Sequence, residues 1–218
     1  MTRTIHVDSL DFIIDTNIVS SCLKLDEEPF YQNMSSCFQL PCECVQCPSH
    51  TCKKSGCSDY NICTRKKSKE GLKAVDLLLN AGNTFYVIEA KDYRQSQSSN
   101  SSHIANEVAK KFRDTFFVLS CASLYQGISS DVQSVINSFF QAGKDIQFIF
   151  QFEPPQTQYQ SGLYQNGTVA SPQTVLFLLE RFFGEMKSHL TITKMADGHN
   201  KHFPWTVVDG SSTVQTQI

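Results

Sequence analysis

Residues 74–93 read AVDLLLNAGNTFYVIEAKDY, and this stretch decides the fold predicted for the chain. Two apolar runs, at residues 74–79 and 84–90, flank the tetrapeptide NAGN at residues 80–83. Glycine and asparagine tolerate the positive φ that a tight turn requires, and β-branched and aromatic residues favour strands. The pattern therefore predicts a β-hairpin whose two strands are the two apolar runs.

Three charged residues, Asp76, Glu89 and Lys91, interrupt these apolar strands. Facing positions of a hairpin lie about 5 Å apart and residues two apart share a face, so the three should converge at one end of a sheet. Buried charges require partners or a metal. Asp76, Glu89 and the carbonyl of Ala90 offer the oxygen ligands that Mg²⁺ prefers, and Lys91 could orient or deprotonate a water or neutralise charge on a phosphate. The alternative is a salt bridge at a surface hairpin end.

The sequence Asp76, twelve intervening residues and then Glu89-x-Lys91 resembles the signature of the PD-(D/E)xK nuclease superfamily, with Val75 in place of its proline. The resemblance covers roughly residues 65–155. It implies an α/β, restriction-endonuclease-like core of the order αβββαβ, with a central mixed sheet flanked by helices. It also implies hydrolysis of phosphodiester bonds, with Mg²⁺ (or Mn²⁺) held by Asp76 and Glu89 and with Lys91 as catalytic base or transition-state stabiliser.

The resemblance further implies an endonuclease with DNA as its substrate, and it leaves open a homodimer. Many members of the superfamily place another acidic residue on the helix that precedes the motif. The candidates in this chain are Glu70, as the nearest, and behind it Glu27, Glu28 and Glu43. Some members add a polar residue from the following helix, where Glu107 or Lys111 could serve.

Outside the hairpin, the sequence predicts a mixture of helices and strands. Apolar residues recur at helical spacing at Ile104, Val108, Phe112, Phe116 and Leu119 and predict a long amphipathic helix. Residues 10–25 are predicted to form a helix, although a strand is nearly as well supported. The other predicted helices run from Ser130 to a stop at Gly143 and from Ser171-Pro172 onward. The other predicted strands lie at residues 146–153 and 191–195. We expect an α/β fold with one central sheet, in a single domain at residues 1–208 with a flexible tail at residues 209–218.

Seven of the nine cysteines fall within residues 37–63, a stretch rich in Cys, Pro, Ser, Gly and Lys that is predicted to be an insertion. In a reducing compartment, clustered thiols bind metals more often than they form disulfides. Cys44-x2-Cys47 has the spacing of a metal knuckle, which predicts a structural Zn²⁺; an iron–sulfur cluster, disulfides or free thiols are the alternatives. The predicted ligands are a subset of Cys44, Cys47, Cys52, Cys57, Cys63 and His50.

Charge and hydropathy give only broad expectations about partners and location. The net charge of −2 gives no global signal for nucleic-acid binding, but residues 53–73 carry seven Lys or Arg against two acidic residues. This basic stretch is either a solvated flank of the insertion or a patch that faces phosphates. Because no secretory leader and no run of about 18 apolar residues is present, we expect an intracellular protein, cytoplasmic or nuclear, without membrane association.

Residues 12–19, FIIDTNIV, resemble the opening of PIN-domain ribonucleases, in which Asp15 would bind Mg²⁺ with later acidic residues. No matching Asp-rich turn follows at the expected distance, and the alternative is that Asp15 caps a helix. An alternative of another functional class is a non-catalytic, zinc-containing module on a nuclease-like scaffold, which binds nucleic acid or protein.

Overall fold

A computed structural model of the chain describes residues 1–37, 71–94, 100–124, 127–154, 171–195 and 203–210. Within these ranges the strands are β1 (Thr2–Val7), β2 (Leu10–Asp15), β3 (Val19–Leu23), β4 (Leu77–Ala81), β5 (Thr84–Asp92), β6 (Asp145–Glu153), β7 (Leu190–Thr193) and β8 (Trp205–Asp209). The helices are α1 (Pro29–Cys37), α2 (Ser101–Ser123), α3 (Ser130–Phe139) and α4 (Pro172–Phe183), with 3-10 turns at Leu25–Glu27 and Gly184–His189.

The central sheet has five strands in the order β3-β4-β5-β6-β7. Its first three strands are antiparallel, whereas β6 is parallel to β5 and β7 is parallel to β6. Parallel neighbours require a crossover connection, and α2 and α3 supply it between β5 and β6. The fold is therefore α/β with a mixed sheet.

Both faces of the central sheet are covered, which explains why its strands are almost continuously apolar. Phe85 and Val87 of β5 point to one face and pack against the helices. Ile88 and Ala90 point to the other face and pack against a three-stranded antiparallel sheet of order β1-β2-β8. The molecule thus has three layers: helices, the central sheet and the small sheet. None of the helices in the described ranges has an apolar stretch long enough to cross a membrane.

The predicted hairpin is confirmed as β4 and β5, with Ala81 paired to Thr84 across the turn. Gly82 lies in this turn with a φ of +56°, a conformation that glycine adopts without the steric cost borne by other residues. The first strand starts later than predicted, at Leu77, so Asp76 lies directly before β4.

Three predicted helices and two predicted strands are also confirmed. The helix caps are the expected polar residues, because the side chains of Asn100, Ser129 and Ser171 accept hydrogen bonds from the first turns of α2, α3 and α4. The helix predicted to stop at Gly143 ends earlier, at Phe139. The strands predicted at residues 146–153 and 191–195 correspond to β6 and β7.

The helix predicted at residues 10–25 is wrong, and the predicted tail differs from the structure at its first two residues. Residues 10–25 do not form a helix; they contain β2, β3 and the first residue of a 3-10 turn. Leu10, Phe12 and Ile14 alternate along one buried face of β2, which is a strand period. The predicted tail at residues 209–218 begins instead with the last residue of β8, followed by Gly210, whose N–H donates to the carbonyl of Ser9. The rest of that tail lies outside the described residues.

Candidate active site at the end of strand β5

The hairpin brings the three predicted charges to the carboxyl end of β5. Glu89 and Lys91 follow Phe85 and Val87 at every second residue, so they lie on the helix-facing side of the sheet. Asp76 precedes Leu77, which pairs with Ile88, so its place in the register is opposite Glu89. Its Oδ2 atom accepts a hydrogen bond of 2.8 Å from the backbone N–H of Ala90, which fixes the carboxylate beside β5.

A fourth side chain, Lys111 of α2, completes the cluster. Its Nζ atom lies 2.7 Å from Oε1 and 2.8 Å from Oε2 of Glu89. The same Nζ lies 3.3 Å from Oδ1 of Asp76. Glu89 has no exposed surface, and a buried carboxylate is stable only when a charge or donor compensates it. One ammonium group therefore bridges the two carboxylates.

Lys91 lies at the rim of this cluster. Its Nζ atom is 3.5 Å from Glu89 Oε1 and 3.5 Å from Oδ2 of Asp8, which belongs to the turn between β1 and β2. Its side chain is 30% exposed, compared with 1% for Glu89. Lys91 therefore connects a buried acid to an exposed one and stays accessible to a ligand in solvent.

The environment shifts the protonation of these groups. Burial, followed by the negative charge of Asp76, raises the pKa of Glu89 to about 8, although Lys111 and Lys91 oppose the shift. Burial lowers the pKa of Lys91, but the carboxylates of Glu89 and Asp76 outweigh it, and the net pKa lies above the ordinary value. The pKa of Lys111 is raised by the same balance of causes. Both lysines are consequently charged at neutral pH.

The structure adds Asp26, a residue that the sequence analysis did not single out. It lies in the 3-10 turn after the buried Leu25. Loss of water around its carboxylate, and then the negative charge of Asp76, raise the pKa of Asp26, while Lys111 lowers it. Asp26 thus belongs to the same electrostatic cluster. The acid run DEE at residues 26–28 was the available signal, but the sequence alone does not show which of these acids interacts with Asp76.

The other helix-borne acids predicted for the site have different surroundings. Glu27 pairs with Lys24, and the pKa of Glu28 is raised by burial and then by the negative charges of Asp131 and Glu27, so Glu28 is coupled to α3. Glu70 and Glu43 lie outside the described residues.

Of the two polar candidates on the following helix, the structure places Lys111 at the carboxylates. Glu107, one turn earlier, accepts a hydrogen bond of 2.6 Å from Lys73. That ion pair lowers the pKa of Glu107. Lys73, the described end of the basic stretch, is therefore paired with a protein carboxylate.

The cluster fits a divalent cation only in part. Across the described ranges, no group of three or more His, Cys, Asp or Glu side chains is close enough to hold a metal ion. Mg²⁺, however, keeps several waters and often uses only one or two carboxylates. The buried Oε1 of Glu89 accepts no well-aimed hydrogen bond within the described residues, although Lys111 is close to it. The described cluster therefore offers two carboxylates, Asp76 and Glu89, and the ammonium of Lys111 contacts both of them.

The carbonyl of Ala90, predicted as a further metal ligand, stays a prediction. The N–H of Ala90 is the group that binds Asp76, and the place of this residue in the ladder is opposite Gln151 of β6. Its role in the described structure is to orient the Asp76 carboxylate.

The predicted zinc ligands lie outside the described residues, so the zinc site stays a prediction. They are Cys44, Cys47, Cys52, Cys57, Cys63 and His50. In the described part of the chain, Cys22 and Cys121 are free thiols. Burial raises the pKa of Cys22 to about 11, which leaves this thiol unreactive at neutral pH.

Asp15, the residue of the PIN-like motif, ends β2 and shapes a turn. Its Oδ1 atom accepts hydrogen bonds of 2.9 Å from both the backbone N–H and the side-chain amide of Asn17. This is a side-chain-stabilised turn between two strands, so the prediction that Asp15 caps a helix is wrong.

A groove of about 490 Å³ lies between α2 and the end of α4, away from the carboxylates. Its lining includes Lys110, Phe112, Phe116, Phe182 and Met186, and none of the predicted catalytic residues. Lys110 and Lys111 are adjacent in sequence but therefore face different parts of the molecule.

Comparison of the chain with protein-family models, with curated proteins and with solved structures found no match, so the geometry of this cluster carries the functional argument.

Proposed function

We propose that the chain is a Mg²⁺-dependent endonuclease that hydrolyses phosphodiester bonds in DNA, with a site of the PD-(D/E)xK type. The observation that carries the proposal is the convergence of Asp76 and Glu89 on one cationic group, with Lys91 two residues further along the same strand. Two carboxylates and a lysine in this arrangement are the set that the superfamily motif requires.

The roles of the residues follow from their positions. Bound Mg²⁺ would supply an activated water and would neutralise charge on the phosphate. Asp76 and Glu89 would hold the cation, while the backbone N–H of Ala90 keeps the Asp76 carboxylate in orientation. Because the pKa of Lys91 lies above its ordinary value, its ammonium is suited to donating hydrogen bonds to a phosphate oxygen. We therefore assign Lys91 as a transition-state stabiliser and not as the base.

The topology supports a restriction-endonuclease-like core with two differences in its helices. Three antiparallel strands, β3 to β5, are followed by two helices, α2 and α3, and by β6, which is parallel to β5. Apart from the additional helix α3, this order agrees with the βββαβ part of the core that the resemblance implies. The described helix α1, however, follows the first of these strands instead of preceding it.

A second function is favoured by one specific contact. Lys111 already compensates Asp76 and Glu89, which is what a structural ion cluster in a non-catalytic binding module would show. The two functions differ in one measurable respect, because only a nuclease loses activity when the carboxylates are replaced by neutral isosteres.

The experiment is a cleavage assay with purified protein on plasmid DNA, single-stranded DNA and RNA, in Mg²⁺ or Mn²⁺ and with EDTA as the metal-free control. We expect nicking of DNA that requires the metal and that is reduced about 10²-fold or more by Asp76→Asn. Equal nicking by the wild type and Asp76→Asn would assign the activity to a contaminant. No cleavage of any substrate with either metal would favour the binding module.

A further inference from the structure

The ammonium group of Lys111 lies at the position that a cation shared by Asp76 and Glu89 would take. Its Nζ atom is within 3.3 Å of both carboxylates and contacts both oxygens of Glu89. The side chain is only 16% exposed, so it reaches this position from α2 through a largely enclosed path. Lys111 is therefore a protein-borne cation inside the acidic pair.

A divalent cation held by both Asp76 and Glu89 would compete with this ammonium for the same position. Mg²⁺ binds carboxylate oxygens at about 2.0–2.1 Å, so a cation shared by the two carboxylates would lie close to the Lys111 ammonium. Two like charges so close together in a buried site repel each other strongly. Lys91 differs, because its ammonium lies further away, at 3.5 Å from Glu89, and is shared with Asp8.

We propose that Lys111 is a built-in counter-ion that sets the metal affinity of the site, so that a divalent cation binds Asp76 and Glu89 only when Lys111 leaves them. This inference rests on the proposed function for the identity of the site. It adds that Lys111 forms ion pairs with Asp76 and Glu89 in the metal-free protein, and that metal binding displaces Lys111 from them.

The test is the affinity of the full chain for Mn²⁺, measured by electron paramagnetic resonance for the wild type, Lys111→Met and Lys110→Met. Lys110 is the matched control because it lies next to Lys111 but lines the groove between α2 and α4. We expect Lys111→Met to bind Mn²⁺ about tenfold more tightly or better. The affinity of Lys110→Met should equal that of the wild type.

A second measurement uses the wild-type protein and does not depend on the folding of a variant. Reductive methylation followed by peptide mass spectrometry reports how fast each lysine reacts. We expect Mn²⁺ to increase the labelling rate of Lys111, because displacement exposes its ammonium, and to leave that of Lys110 unchanged.

Unchanged or weaker Mn²⁺ binding by folded Lys111→Met, or labelling of Lys111 that Mn²⁺ does not increase, would overturn the inference. Absence of Mn²⁺ binding in both the wild type and Lys111→Met would overturn it together with the proposed function. Tighter Mn²⁺ binding by Lys111→Met without cleavage of any nucleic acid would support the counter-ion role and reject the nuclease. The two proposals can therefore fail separately.

Discussion

At the scale of single residues, Glu89 carries a carboxyl group that solvent does not reach. It faces Asp76, Lys111 and Lys91, and no other described charge contacts it at hydrogen-bond or salt-bridge distance. Burial and the neighbouring Asp76 favour its protonated form, so its pKa is raised to about 8. A residue with these properties affects both the stability of the protein and any metal that it binds.

The first prediction concerns stability against pH. Between about pH 4.5 and pH 8 the folded state keeps a proton on Glu89 that the unfolded chain has lost. Its contribution to stability is therefore fully present below about pH 4.5 and is lost as the pH rises through about 8, by up to about 1.4 kcal/mol per pH unit. Urea unfolding should show that Glu89→Gln has a flatter dependence on pH than the wild type. Parallel pH profiles would contradict the raised pKa.

The second prediction separates the two roles of Lys91. If its ammonium stabilises charge, Lys91→Arg should retain part of the cleavage activity, because arginine is a permanent cation and hydrogen-bond donor. Lys91→Met should lose about 10²-fold. The rates are measured under single-turnover conditions with saturating Mg²⁺. If Lys91 were the base, both variants would be equally inactive, since arginine does not give up its proton.

At the scale of elements, the end of β5 is attached to the small sheet by Arg94. The guanidinium of Arg94 binds Asp92 through Nε at 2.9 Å and binds Asp209 of β8 at 2.8 Å. Asp92 also accepts a hydrogen bond from Ser9. These contacts hold the strand that carries Glu89 and Lys91 against the layer that carries Asp8.

The third prediction tests this attachment. Arg94→Met should lower the free energy of unfolding by about 1–3 kcal/mol, because it leaves Asp92 and Asp209 without their charged donor. Arg3→Met is the control, since Arg3 lies exposed on β1. The measurement is urea unfolding at constant pH. If Arg94→Met lowers the free energy of unfolding no more than the control does, the contacts of Arg94 do not stabilise the fold.

The elements that the sequence predicts well are those with local signals. The turn at Gly82 and the capped helices α2 and α4 carry their own turn and capping residues. The prediction for residues 10–25 is wrong because an apolar, β-branched run is compatible with a helix or a strand. Which of the two forms depends on the strands that are available to pair with it. One partner, β8, lies almost at the other end of the chain, and no local pattern reveals such a pairing.

The same distinction holds for the candidate site. Asp76, Glu89 and Lys91 follow from the geometry of one hairpin, so their convergence was predictable. Sequence spacing does not distinguish Lys111 from Glu107 as the residue of α2 that contacts the carboxylates. The distinction depends on how α2 packs on the sheet. The involvement of Asp26 depends on a short 3-10 turn that has no distinct sequence signature.

At the scale of the whole molecule, three layers meet at the carboxyl end of β5. The helical layer supplies Lys111, the central sheet supplies Glu89 and Lys91, and the small sheet supplies Asp8. Ligand sites of α/β proteins commonly lie at the carboxyl ends of strands, where connecting segments diverge. The cluster therefore lies where a ligand site is expected in a fold of this class.

The central claim is that Asp76 and Glu89 are used for metal-dependent cleavage, and one rate comparison tests it most directly. The measurement is the single-turnover rate of cleavage of a labelled DNA duplex in Mg²⁺ by the wild type, Glu89→Gln and Glu107→Gln. Glu107 is the matched acid, because it lies one helical turn from Lys111 and pairs with Lys73 instead. We predict a loss of about 10²-fold or more for Glu89→Gln and wild-type activity for Glu107→Gln. Equal rates for all three proteins would contradict the account.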